Sequence, residues 1–289
     1  MLREKSLDGF TSLIAKPHDP VALTGPYAGR LVALDPAVPC RRCEMCEAGH
    51  RNLCPTVRFA GHSSCDGGLR EYLAWPDEQL HPVPDDFTPA DAAVLEPLGV
   101  ALHAWDLGHA RVGASVGIVG AGPIGLLTVQ LARAAGAGRI YVVEPLEHRR
   151  RAARDLGADA VLSPEMADAE TWRELTGLGC DLVLEFAGND DGIATAFSAA
   201  RPGARVLLGG IPSDDRSSFQ ASLARRKGLT IVMVRRMKEM YPRAIELVDS
   251  GRVDLGAVVS AVEPLTRANE AFQGACERRG LKVIIDPGA

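Results

Sequence analysis

Residues 115–125 read Ser-Val-Gly-Ile-Val-Gly-Ala-Gly-Pro-Ile-Gly, and the organisation of the whole chain can be worked outward from them. The run from Ser115 is apolar and of strand length. Gly120, Gly122 and Gly125 follow it in the spacing G-x-G-x-x-G and lead into IGLLTVQLARAAG, whose apolar residues recur at helical spacing. A strand that turns this tightly into a helix presents backbone amides to a pyrophosphate, and only glycine permits the turn and the close approach. The string alone is common, and its place between strand and helix gives it weight. Glu144, nineteen residues beyond Gly125 at the end of the next apolar run, is placed to accept hydrogen bonds from an adenosine ribose. A carboxylate there repels the extra phosphate of NADP, an effect that His148, Arg149, Arg150 and Arg151 partly offset, so the expected cofactor is NAD. The competing reading is a glycine-rich turn that merely packs helix on strand.

Beyond Glu96, short apolar runs alternate with helical segments, the pattern of βαβ units. Strands are predicted at SVGIVG from Ser115, RIYVV from Arg139, DAVL from Asp159, DLVLEF from Asp181, RVLLGG from Arg205 and LTIVMV from Leu229. Six strands suit a doubly wound sheet. Helices are expected at YPRAIELVDSG and TRANEAFQGACER, then a last strand, KVIID. Between Leu31 and Pro97 the text is short extended pieces and turns, and the first thirty residues carry no period that assigns them structure.

A chain of 289 residues suits two domains. With 46% hydrophobic and 24% charged residues it has the composition of a folded soluble protein. A net charge of −5 with scattered basic residues gives no support to nucleic-acid binding. No run of about 18 apolar residues suggests a membrane span, and the opening MLREKSLDGF lacks the apolar stretch of a signal peptide, so a cytoplasmic protein is expected.

Four of the seven cysteines, Cys40, Cys43, Cys46 and Cys54, fall in the spacing C-x2-C-x2-C-x7-C. One compact loop can present these thiolates tetrahedrally to zinc, and a closed four-sulfur shell stabilises the loop without binding substrate. The rival is an iron–sulfur cluster, because Cys54-Pro55 and the first three cysteines are similar to a ferredoxin run with a shorter last gap.

The stretches VALDPAVPCRRCEMCEAGHRNLCP, LEPLGVALHAW, VGIVGAGPIGLLTVQLARAAGA, LGADAV and MYPRAIELVDSGRVD resemble, in order, the zinc-containing medium-chain dehydrogenases, and among them the polyol (sorbitol or iditol) and threonine dehydrogenase branch. The resemblance implies an α/β protein: a Rossmann doubly wound parallel sheet plus a GroES-like β-rich catalytic domain, incomplete here. Residues 1–96 would form the partial catalytic domain with its zinc lobe, 97–236 the NAD-binding domain, and 237–289 a return to the catalytic domain. It implies a structural zinc on Cys40, Cys43, Cys46 and Cys54, and a role for Glu96 at a catalytic zinc, directly or through water. Cofactor contacts are implied at Gly120, Gly122, Pro123, Ile124, Gly125, Glu144, Arg149, Leu208, Gly209 and Gly210, with Arg236 reaching cofactor or substrate. The expected partners are a small alcohol or polyol substrate and further copies of the chain, as dimer or tetramer.

The family's catalytic zinc also takes a cysteine from a G-x-C-G-x-D type segment and a histidine from a Gly-His-Glu segment. No cysteine precedes Cys40, and the one earlier histidine, His18, sits in Lys-Pro-His-Asp-Pro. A chain lacking most of the N-terminal catalytic half-domain is therefore expected, through truncation, misassembly or divergence. Two functions follow from the resemblance, a zinc-containing NAD-dependent dehydrogenase of secondary alcohols or polyols, or an NAD-binding, catalytically impaired remnant of one; an iron–sulfur electron carrier, which needs iron in the cysteine lobe, ranks last. His62, Cys65 and His103 are the substitute ligands the sequence offers.

Overall fold

The computed structural model describes residues 25–62, 65–70 and 72–287 throughout, and the strands Thr11–Lys16 and Asp19–Ala22 by their backbone. Its centre is a parallel sheet of β1 (Ser115–Val119), β2 (Arg139–Val143), β3 (Ala160–Leu162), β4 (Cys180–Glu185), β5 (Ala200–Leu208) and β6 (Thr230–Met233). The order across the sheet is 3-2-1-4-5-6, all neighbours parallel, which is the doubly wound Rossmann arrangement.

Both faces of the sheet are covered, which is why its strands read as continuous apolar runs rather than alternating ones. Val116, Ile118, Ile140, Val142, Leu182 and Leu184 enter one core, while Val119, Tyr141, Val143 and Val183 enter the other. The first core is completed by α1 (Pro89–Gly108) and α2 (Pro123–Ala134), and by Tyr241 and Ala244 of α7 (Tyr241–Asp249). The second takes Trp172 of α4 (Ala169–Thr176) and Ile193, Ala196 and Phe197 of α5 (Asp190–Ala199). Further helices are α3 (Glu147–Asp155), α6 (Ala221–Lys227) and α8 (Ala268–Cys276), and a single helical turn, Glu44–Glu47, lies in the cysteine lobe.

Three features differ from the sequence expectations. The segment left without structure contains two strands: Thr11–Lys16 pairs antiparallel with both Asp19–Ala22 and Tyr72–Trp75. The strand expected from Arg205 begins at Ala200, continuing past Pro202 and Gly203 where the pairing with β4 shifts register. The division placed at residues 96 and 97 falls inside α1, a twenty-residue helix that runs through Pro97. A proline there removes one helical hydrogen bond. Leu95, Leu98, Ala101 and Leu102, all essentially inaccessible, anchor the helix in the core on both sides of it, and a Thr88–Asp91 capping box starts it.

N-terminal and C-terminal segments meet on α1. Ala33 and Val83 share the first core with Val253, Leu255, Val258 and Ile284, and Val259–Pro264 pairs parallel with Lys282–Asp286. Among the described residues no helix is long and apolar enough to cross a membrane.

Candidate functional site

The phosphate loop lies at the carboxyl edge of the sheet, where β1 stops and α2 begins, with Gly122 as the helix N-cap and Pro123 at the first helical position. Each glycine answers a different demand. Gly120 has φ +95°, and a Cβ on it would lie 2.8 Å from the Ala187 nitrogen in the loop after β4. A Cβ on Gly125 would lie 2.0 Å from the Gly120 carbonyl oxygen, so this glycine seats the helix on the loop. A Cβ on Gly122 would meet only the Arg149 guanidinium, at 3.8 Å. The space in front of Gly122 is open, and it faces the positive end of α2.

A cavity of about 450 Å³ opens from that point, lined among others by Gly120, Gly122, Glu144, Arg149, Phe186 and Arg278. Glu144, at the end of β2, is only 3% exposed. Its carboxylate accepts from the Ala121 amide at 2.7 Å and the Leu146 amide at 3.0 Å. It therefore ties the phosphate loop to β2, and a carboxylate with about four lone-pair sites retains room for ribose hydroxyls. Arg149 donates through Nη2 to the Gly280 carbonyl at 3.2 Å, while its Nε is buried without a partner. Burial lowers its pKa below the ordinary arginine value. Ile124 is half-buried in the first turn of α2.

Glu185, which sequence reasoning passed over, plays the matching part at the end of β4. It is 1% exposed, and its side chain accepts from the Gly188 amide at 2.7 Å. Burial pushes its pKa up, while the amides of Gly188, Ala187 and Gly210 pull it down. Its main-chain carbonyl accepts from Gly209 and Gly210, which places these glycines and Leu208 on the same edge as Gly120. The available signal was an acid closing an apolar strand just before Gly188, as Glu144 closes β2.

Glu96, Arg236 and Asp35 come together although they lie on α1, after β6 and near the N-terminal lobe. Arg236 Nε donates to Glu96 at 3.2 Å and its Nη2 to Asp35 at 2.8 Å. The Arg236 side chain is 9% exposed, lies 5.0 Å over the Phe59 ring, and stands on a backbone with φ +46°. Asp35 is held in turn: its side chain accepts from Ala37, its carbonyl from Trp75, and the neighbouring Leu34 carbonyl from Tyr241, on which His81 stacks.

The four lobe cysteines converge. Their Sγ atoms all lie within 4.8 Å of one another, with Cys40 and Cys46 at 4.0 Å. Zinc bound at about 2.3 Å to each sulfur requires separations of about 3.8 Å, so the donor set fits a four-thiolate zinc. The Cys40 amide donates to Cys54 Sγ at 3.3 Å, and Cys46 and Cys54 are buried.

The surroundings of Glu96 do not fit a second zinc. Among the described residues the four cysteines are the only group of three or more potential ligands that converge, and Glu96 is joined by a guanidinium. Of the substitute ligands, His62 packs edge-on against Phe59, His103 lies on buried α1 near Asn52, and Cys65 lines a separate cavity with His62. His18 lies outside the described residues.

Comparison with known proteins agrees with this architecture. Residues 16–85 match the alcohol dehydrogenase GroES-like domain, and residues 123–250 match the zinc-binding dehydrogenase family. The "Probable D-xylulose reductase A" of Aspergillus clavatus is 34% identical over 271 residues, covering 91% of this chain and 75% of that protein. The sorbitol dehydrogenase of Bacillus subtilis is 32% identical over 263 residues, covering 90% and 74%. Among solved structures, an Escherichia coli oxidoreductase/dehydrogenase of unknown specificity superposes with a TM-score of 0.86 at 30% identity, covering 92% and 80%. A Sinorhizobium meliloti protein assigned as a zinc-binding dehydrogenase and bound to NADP gives 0.86 at 26%, covering 98% and 94%. Sheet order, phosphate loop, cysteine lobe and these matches together make the chain a member of the zinc-containing medium-chain alcohol and polyol dehydrogenase family.

Proposed function

We propose that this chain binds NAD in the cleft at the carboxyl edge of its sheet and transfers hydride between the nicotinamide and the carbinol carbon of a secondary alcohol or polyol. The observation that carries the reading is the open approach at Gly122, beside two glycines that the fold needs for packing. The diphosphate would lie against the free backbone amides of Gly122, Ile124 and Gly125 at the start of α2, with Pro123, which has no N–H to offer, setting the helix start, Glu144 accepting from the ribose and Arg149 alongside. Leu208, Gly209 and Gly210 would line the nicotinamide half. The cofactor supplies the hydride acceptor, and the alcohol's hydroxyl proton leaves to solvent. Arg236, braced by Asp35 and Glu96, would hold the substrate's oxygens near the cleft. The names of the similar proteins support a polyol, or the ketose formed from it, as the substrate class.

The lobe would hold one structural zinc. The edge strand β6, which exposes Ile231 and Met233, supports association of copies, to be read by analytical ultracentrifugation.

The test is titration with NAD and NADH followed by absorbance at 340 nm with sorbitol, xylitol and a 1,2-diol, with zinc added. Saturable binding with turnover supports the proposal, and no saturable binding by folded protein removes it. The pairing of Glu96 with Arg236 favours a second reading, binding without turnover. Turnover separates them: a chain that holds its one lobe zinc and oxidises the alcohol fits the first, and the same chain binding NAD without activity fits the second.

A further inference from the structure

Resting on the dinucleotide reading, we propose that Arg278 is a second phosphate-binding residue of the cofactor cleft, contributed by the C-terminal segment and acting with Arg149. Arg278 follows α8, with its amide bonded to the Ala275 carbonyl at 3.0 Å and its backbone in the left-handed region at φ +56°. That position after a helix normally takes glycine, and a residue with a Cβ is disfavoured there by about 1 kcal/mol. The sequence nevertheless places a long cation at this point.

Arg278 lines the same cavity as Gly122, Glu144 and Arg149. Two residues on, the Gly280 carbonyl receives Arg149 Nη2, so the C-terminal turn is fastened to the wall of the cleft. The cavity thus receives two guanidiniums and the positive end of α2. Glu144 attracts the Arg149 guanidinium, and Arg278 repels it less strongly, so one carboxylate serves two cations at this wall. Of the two carboxylates on the wall, Glu144 already accepts two backbone amides and Asp191 belongs to the first turn of α5. Among the described residues Arg278 makes no ion pair, and Arg149 Nε has no acceptor. A phosphoryl group in the cavity would relieve the repulsion and give both guanidiniums the bidentate acceptor they suit. That group is the diphosphate common to NAD and NADP, or the 2′-phosphate carried by NADP alone.

The experiment compares the full-length wild type with Arg278→Asn, which tolerates the left-handed backbone, and Arg278→Lys, which keeps the charge. NADH and NADPH are titrated by fluorescence at low salt and at 0.5 M salt, and melting temperatures are recorded. Arg278→Asn is expected to weaken binding roughly tenfold at low salt, Arg278→Lys less, and salt to narrow the difference. Equal loss for both cofactors assigns the diphosphate, and loss for NADPH alone assigns the 2′-phosphate. Arg278→Asn binding both as tightly as wild type, at an unchanged melting temperature, overturns the assignment of Arg278 and leaves the cleft itself intact. Wild type that binds neither cofactor overturns the dinucleotide reading, and this one with it.

Discussion

Alanine at Gly122 and alanine at Gly125 should have opposite consequences, although the two sites lie three residues apart in one loop. At Gly125 the new Cβ would sit 2.0 Å from the Gly120 carbonyl oxygen, where ordinary contact begins at 3.4 Å. The obstacle is backbone, so the start of α2 must move off β1, and overpacking of this kind costs roughly 2 to 3 kcal/mol. For a domain of this size that lowers the melting temperature by roughly 5 to 10 °C. At Gly122 the backbone is extended, φ −69° and ψ −176°, which alanine adopts freely, and the nearest atom is 3.8 Å away. Loss of a favoured N-cap residue and gain of a stiffer unfolded chain offset each other to within about 1 kcal/mol. The methyl would instead occupy the approach to the helix amides. Losing one charge-assisted hydrogen bond there, about 1.5 to 3 kcal/mol, weakens dinucleotide binding by roughly 10- to 150-fold. Melting curves followed by circular dichroism, with NADH titration of each variant at a temperature where both are folded, check the pair. Gly122→Ala binding NADH like wild type, or Gly125→Ala melting like wild type, would refute the division of labour.

Three further outcomes are expected. Arg236→Met, by stripping Asp35 and Glu96 of their shared cation, should destabilise the fold by roughly 3 to 5 kcal/mol in urea unfolding, and a loss below about 1 kcal/mol would contradict the bridging role. Cys46→Ser should lose the lobe's zinc by elemental analysis and lower the melting temperature, while removing zinc from the wild type with a chelator should give the same shift. Burial holds the folded-state pKa of Glu185 above the ordinary carboxylate value, so its contribution to stability is full below that value and is lost as pH rises through the raised folded pKa. Unfolding free energies across this window should fall for the wild type relative to Glu185→Gln as pH rises, and parallel curves would rule the linkage out.

What could be read from the sequence was local. Strand, glycine turn, helix and closing acid all lie within thirty residues from Ser115 to Glu144, and the two periodicities and the cysteine spacing are equally short-range. Arg236 is separated from Asp35 by 201 positions and from Glu96 by 140, so no window of sequence could pair them. Pro97 and the Pro202-Gly203 pair are residues that disfavour a helix and a strand, and they stand beside the division expected at 96–97 and before the strand expected from Arg205. In the fold, buried leucines on α1 and the β4 ladder outweigh those preferences. Arg278 was passed over because an arginine near a helix end reads as a solvated charge until the C-terminal turn is seen folded against the cleft.

Glu144 and Glu185 explain why this edge of the sheet can stand ready for a ligand. They close β2 and β4, the two strands that flank β1, and each turns its buried charge toward loop amides. A buried carboxylate needs such donors, and the loops after parallel strands have spare amides that no ladder uses. The two sets touch: Glu144 holds Ala121, whose neighbour Gly120 packs on Ala187, and Ala187 leads into the turn that Glu185 fastens at Gly188. A Cβ on Gly192 would lie 2.9 Å from a Glu185 oxygen, and one on Gly210 would lie 2.2 Å from the Gly188 nitrogen and 2.9 Å from the other Glu185 oxygen. The cleft is thus shaped by a continuous run of contacts from β2 to β5. Weakening either acid is therefore expected to loosen both halves of the dinucleotide site and not only the loop it touches.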